Sequence, residues 1–140
     1  MRGYYDMPEE TDTTLKDGWL HTGDKGYIDD DRFLFINGRV KNLIILSNGE
    51  NISPEEIEAK LALNPLISEI IITGDNNALT ARIYPEPELI KNMSEEEVKA
   101  ALWKILDDYN SQQPTYKQIT KMVIRENPFI KNSSRKILRT

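Results

Sequence analysis

The side chains able to do chemistry are few and scattered. Asp24 follows Gly23, Arg39 follows Gly38, Asn48 precedes Gly49 and Glu50, and Lys136 stands in a basic run near the C-terminus. An aspartate in a turn can accept two hydrogen bonds from a ribose diol, although its ordinary role is to stabilise the turn itself. A lysine ammonium is a compact point charge suited to a phosphate; it is equally an ordinary solvated lysine. Arg39 reads as an anion clamp or as a surface arginine, and Asn48-Gly49 as a working loop or as a plain hairpin turn. The chain has no cysteine and one histidine, His21. That excludes disulfides, thiolate metal sites, cysteine nucleophiles and a His-rich metal site, and it argues against a Ser-His-Asp triad. No GxxxxGKS/T phosphate cradle and no GxGxxG fingerprint is present.

Charge narrows the picture. The net charge is −5, but residues 115–140 carry seven basic side chains (Lys117, Lys121, Arg125, Lys131, Arg135, Lys136, Arg139) against Glu126. This asymmetry suggests that the C-terminal segment meets an anion. No aromatic stands among the basic residues from Lys131 to Arg139, so nucleic acid is not an expected partner. At 39% hydrophobic and 29% charged, the 140 residues have the composition of an ordinary soluble globular protein. No apolar run approaches the ~20 residues of a membrane span. No apolar h-region follows Met1-Arg2, so no signal peptide is expected. Nothing indicates membrane contact, and a cytoplasmic home fits.

The elements that must position these residues fall into two groups. Residues 1–18 read as loop. Trp19 to Thr22 is a short β-prone run, and Tyr27-Ile28 and Phe33 to Ile36 flank the acidic turn Asp29-Asp30-Asp31 as a hairpin. This region is too short for its own core and looks like the end of a larger domain. Gly38 to Asn42 then forms a joint. From Val40 the order is β-α-β-β-α-β: a strand to Leu46, a turn at Ser47 to Glu50, a helix capped by Ser53-Pro54-Glu55-Glu56, a hairpin through Gly74 to Asn77, a helix capped by Ser94 to Glu97, and a strand from Ile119 to Ile124. Val98, Ala101, Leu102, Ile105 and Tyr109 make one stripe on the second helix. The expected fold is a small α+β layered domain with two helices on one face of a sheet. Residues 128–140 show no periodicity and read as a mobile basic tail.

Four stretches, taken together, resemble the adenylate-forming superfamily. They are Gly3-Tyr4-Tyr5 with Pro8-Glu9 and Thr11; Gly18-Trp19-Leu20-His21-Thr22-Gly23-Asp24; Gly38-Arg39-Val40-Lys41-Asn42 with Asn48-Gly49-Glu50-Asn51-Ile52-Ser53-Pro54-Glu55-Glu56-Ile57-Glu58; and Lys136-Ile137-Leu138-Arg139. That group comprises acyl- and aryl-CoA synthetases, peptide-synthetase adenylation domains and firefly luciferase. The resemblance implies that residues 1–38 end a large N-terminal AMP-binding domain and that 39–140 are the small C-terminal domain. It implies that Asp24 holds the ribose hydroxyls of the nucleotide, that Arg39 reaches the same nucleotide, that Lys41 is the hinge, and that Asn48, Gly49 and Glu50 line the channel for the acceptor's thiol arm. Lys136 matches the catalytic lysine. No metal ligand is expected within the chain.

The implied activity is an acid–thiol ligase. A carboxylic acid, a fatty acid by preference, would be activated with ATP and Mg2+ as acyl-AMP and transferred to coenzyme A. The missing N-terminal domain would be the chain's partner, and the chain alone, needing no cofactor, would be inactive. The alternatives are an adenylation domain that loads a carrier protein, and a non-catalytic module for an anionic partner. The sequence departs from the family pattern where Thr-x-x-Gly-Lys reads Asn132-Ser133-Ser134-Arg135-Lys136, and where Arg32 replaces the hairpin glycine. The shortened stretch Gly74 to Leu79 looks most like long-chain fatty acid–CoA ligases.

Overall fold

The computed structural model describes residues 1–75 and 77–139; Asn76, in the turn expected after Thr73, and Thr140, at the end of the basic run, lie outside the described residues. The chain divides into two units, Met1–Lys41 and Asn42–Thr140.

The first unit begins with a helix, α1 (Pro8–Thr14), where the sequence reads as loop. Pro8 takes a first-turn position and Glu9 and Glu10 sit at the positive end of the helix dipole. The helix buries no residue, so it left no apolar stripe to detect. Two hairpins follow: β1 (Leu15–Lys16) with β2 (Trp19–Leu20), and β3 (Asp24–Ile28) with β4 (Leu34–Arg39). The second is the one expected around the acidic turn. Asp29 closes it, its carboxylate accepting Phe33 N–H at 2.8 Å and its carbonyl accepting Arg32 N–H at 3.0 Å. Tyr27 and Phe35 stack across the pair at 5.1 Å between centroids. Trp19, Ile28, Phe33, Leu34 and Ile36 are exposed.

The second unit is α+β, as expected, but its first element differs. The expected strand from Val40 to Leu46 is a 3-10 turn, Val40–Asn42, followed by the short β5 (Ile44–Ile45). β5 pairs with β6 (Asn51–Ile52) rather than joining the main sheet. The Ser47 to Glu50 turn brings Asn51 and Ile52 alongside, and that local pairing closes far less loop than a distant strand would. This small hairpin still packs on β7 (Ile67–Asp75). A Cβ on Gly74 would collide with the Ile44 side chain, so the close approach needs a glycine there.

The main sheet has three strands in the order β7-β8-β9, with β8 spanning Ala78–Pro85 and β9 spanning Ile119–Ile124. β7 and β8 are antiparallel, while β8 and β9 are parallel and joined through α4 (Glu95–Asn110). A short helix, α3 (Pro87–Ile90), follows β8. α2 (Pro54–Leu61) packs on β7, and α4 packs on β9 and α2. One core joins them: Ile57 and Leu61 of α2, Val98, Leu102 and Leu106 of α4, and Ile70, Ile72, Leu79, Ala81, Ile83 and Ile119 of the sheet. Fully burying a leucine such as Leu102 contributes about 1.5–3 kcal/mol.

The two helix starts differ. At α4 Ser94 Oγ accepts Glu97 N–H and Glu97 accepts Ser94 N–H, each at 3.2 Å, which is the expected capping box. At α2 Ser53 occupies the cap position without a side-chain cap hydrogen bond.

Residues 128–139 depart most from expectation. They are not a free tail but a tight hairpin against the sheet face opposite the helices. Phe129 is buried beside Ile71, Lys131 bridges to Ile137, and Leu138 N–H meets Ile130 carbonyl at 2.8 Å. Its ionic partners, Glu58 and Glu69, are far away in sequence, so no local pattern marks them; Arg125 also stacks over the Phe129 ring at 4.3 Å.

Candidate functional site

Asp24 and Arg39 face each other across the first residue pair of the β3–β4 ladder. Their side chains form an ion pair at 3.1 Å, with Asp24 the less exposed partner. Thr22 Oγ1 accepts Asp24 N–H at 3.2 Å, and Gly23 carbonyl accepts Val40 N–H at 2.9 Å. Gly23 has φ +70°, which places the turn before Asp24 in the left-handed region that glycine accepts freely. The result is a carboxylate held by a neighbouring guanidinium, with one oxygen paired and lone pairs left to accept from a diol. The structure thus brings together the two residues singled out separately for the nucleotide.

Lys41 lies within the 3-10 turn, and the boundary between the two units falls just after it. Downstream, Asn42 Nδ2 donates to Glu55 Oε1 at 2.7 Å, which ties the end of the turn to the first turn of α2.

Asn48, Gly49 and Glu50 form the exposed tip between β5 and β6. Asn48 Oδ1 accepts Glu50 N–H at 3.0 Å, Leu46 carbonyl accepts Gly49 N–H at 2.9 Å, and Glu50 carbonyl accepts Leu46 N–H at 2.9 Å. Gly49 has φ +85° and no neighbour where a Cβ would stand, so backbone conformation, not space, demands the glycine.

Lys136 is exposed at the end of the 132–136 turn. Both of its backbone groups go to one residue. Asn132 Oδ1 accepts Lys136 N–H at 2.9 Å, and Lys136 carbonyl accepts Asn132 N–H at 2.9 Å. Asn132 Oδ1 also accepts Ser134 N–H at 3.0 Å, and Asn132 carbonyl accepts Arg135 N–H at 2.9 Å. Arg135 pays for the sharpness of this turn with φ +62°, at the position where the family pattern has glycine. Asn132 is the residue that sequence reasoning misses: it reads there only as a departure from threonine, whereas its amide oxygen organises the loop. An Asx residue two to four positions before a key side chain was the available signal.

Glu58 lies on α2, in the stretch that resembles the family, without having been given a role. Its Oε1 accepts Ile72 N–H at 2.8 Å and its Oε2 meets Arg139 Nη2. Burial raises its pKa above the ordinary glutamate value, against the opposing pull of the Ile72 N–H and of Arg139. Among the described residues no group of three or more His, Cys, Asp or Glu side chains is placed to hold a metal ion. No helix among them is long and apolar enough to cross a membrane.

The chain belongs to the family of AMP-binding enzyme C-terminal domains, which it matches over residues 41–140. It is 36% identical over 140 residues to the 2-succinylbenzoate–CoA ligase of Bacillus cytotoxicus, an alignment that covers 99% of this chain and 27% of that protein. It is 45% identical over 71 residues to the fatty acid–[acyl-carrier-protein] ligase ScoC of Streptomyces coeruleorubidus, covering 51% of this chain and 14% of that one. Among solved structures, the adenylation domain of a carboxylate reductase from Mycobacterium chelonae superposes with a TM-score of 0.86 at 26% identity, over 98% of this chain and 23% of that chain. The chain therefore spans about a quarter or less of the length of these relatives.

Proposed function

We propose that this chain is the C-terminal part of an ATP-dependent acid–CoA ligase whose acid is a fatty acid. It would work behind a large AMP-binding domain in the cytoplasm. The observation that carries the reading is the family match running through Lys136, whose ammonium stands exposed on a turn fixed by Asn132. A fatty acid is favoured by the name of the Streptomyces relative and coenzyme A by that of the Bacillus relative.

In the first half-reaction a carboxylate oxygen attacks the α-phosphorus of ATP and pyrophosphate leaves. Lys136 would bridge the attacking carboxylate and an α-phosphate oxygen, placing a cation where negative charge concentrates. Asp24 would accept from the ribose hydroxyls while Arg39 holds that carboxylate in place. ATP would arrive as its Mg2+ complex, the metal offsetting phosphate charge; no residue of this chain is assigned to it. In the second half-reaction a thiolate sulfur attacks the acyl carbonyl carbon and AMP leaves. The Asn48-Gly49-Glu50 tip would line the path of the thiol arm. Lys41 would absorb the backbone rotation between the two halves.

The test separates the halves in the complete ligase. Lys136→Ala is expected to lower acid-dependent ATP–pyrophosphate exchange about 10²–10³-fold, while thioester formation from supplied acyl-AMP persists. Unchanged exchange would remove Lys136 from the chemistry. The 140-residue chain alone is expected to form no acyl-AMP.

A second reading keeps the adenylation half and replaces coenzyme A by the thiol of a carrier protein. The name of the Streptomyces relative favours it. Offering the acyl-AMP form both thiols, and comparing the rates, decides between them.

A further inference from the structure

Two acidic side chains with no role in the proposed chemistry meet the two legs of the Lys136 hairpin. On the incoming leg, Glu69 of β7 is 8% exposed. Its Oε2 accepts Phe129 N–H at 3.2 Å, and its Oε1 meets the Lys131 ammonium. On the outgoing leg, Glu58 of α2 meets Arg139 with one oxygen while the other accepts Ile72 N–H of β7 at 2.8 Å. Lys136 and its turn lie between these two clamps.

Apolar packing alone holds the hairpin poorly. Phe129 is its one buried large apolar residue; Ile130 is 75% and Leu138 44% exposed. A cavity of about 160 Å³, lined by Ile71, Thr73, Phe129 and Leu138 among others, remains against the sheet face. A loosely packed segment would pivot. A carboxylate nine-tenths buried cannot let go of its cation without becoming an unpaired buried charge, so it fixes its partner in one place.

We propose that Glu69 and Glu58 are positioning residues for Lys136, holding the incoming leg through Phe129 N–H and Lys131 and the outgoing leg through Arg139. The proposal rests on the catalytic reading of Lys136 only for its consequence in the reaction; the clamping itself is independent of it.

Amide hydrogen exchange on the 140-residue chain tests the clamp. In Glu69→Gln and Glu58→Gln, the hairpin amides of Asn132, Arg135 and Leu138 should exchange about ten-fold faster, a local opening. The sheet amides of Ala81 and Ile83 should keep their protection. Unchanged hairpin exchange in both variants overturns the proposal. So does an equal rise at the sheet amides, which would make the carboxylates general stability residues. In the complete ligase, the same two variants should slow acid-dependent pyrophosphate exchange about ten-fold or more while thioester formation from supplied acyl-AMP is spared. Equal loss in both halves counts against positioning. If Lys136→Ala leaves exchange intact while the hairpin amides still respond to Glu69→Gln, the catalytic reading of Lys136 fails and the clamp stands.

Discussion

Arg32 and Arg135 each occupy a left-handed backbone position, at φ +66° and +62°, where the family pattern has glycine. For a residue with a Cβ this conformation costs about 1–2 kcal/mol, and glycine offsets part of the relief through its larger unfolded-state entropy. Arg32→Gly should therefore stabilise the chain by about 0.5–1 kcal/mol, read as a higher urea midpoint at unchanged slope. A lower midpoint would show that the arginine makes a compensating contact. Glu58 makes a sharper prediction. Burial raises its pKa, so the folded chain holds the proton more tightly than the unfolded one. The stability this contributes is fully present below the unfolded pKa and is lost as pH rises through the folded pKa. As pH rises from the ordinary carboxylate range the chain should lose stability that Glu58→Gln retains. The same substitution should loosen the hairpin locally. A gain in global stability with a loss of local protection is the signature of a charge kept for position rather than for stability. Parallel pH profiles for the two proteins would deny it.

At the scale of elements, α4 was the most legible and residues 128–139 the least. The stripe from Val98 to Tyr109 and the Ser94–Glu97 box are local features, repeated every turn or closed within three residues. Ser94→Ala removes an acceptor that only the helix start uses, and should cost about 1 kcal/mol; a loss below a few tenths would mean that solvent replaces the cap. The acidic-turn hairpin was equally local. α1 and the four-residue α3 were hidden because neither buries a residue. The strand expected from Val40 fails for a different reason. Its β-branched residues are strand-like, but strand membership requires a partner, and the partner it found was Asn51–Ile52 next door.

At the scale of the whole chain, the two units meet in sequence immediately after Lys41. If Lys41 takes the rotation between half-reactions, Lys41→Pro in the complete ligase should slow thiol transfer while sparing adenylation, because proline locks φ near −65°. Equal impairment of both halves would leave Lys41 a structural residue. This scale is legible in the sequence because the matching stretches run in family order through nearly the whole chain.

Residue types and short spacings were enough to read the family, to pick out the candidate residues and to find the helix-and-strand periodicity of the second unit. These are properties of residue type and short spacing, which survive without knowing what touches what. Which candidates are paired, and what holds them, follows from contacts made through space. Asp24 meets Arg39 because a ladder brings positions fifteen residues apart into register. Lys136 stands on a braced hairpin rather than on a free tail, because Glu58 and Glu69 reach it from α2 and β7. A buried carboxylate chooses its cation through space, and nothing in the spacing of either residue announces that choice.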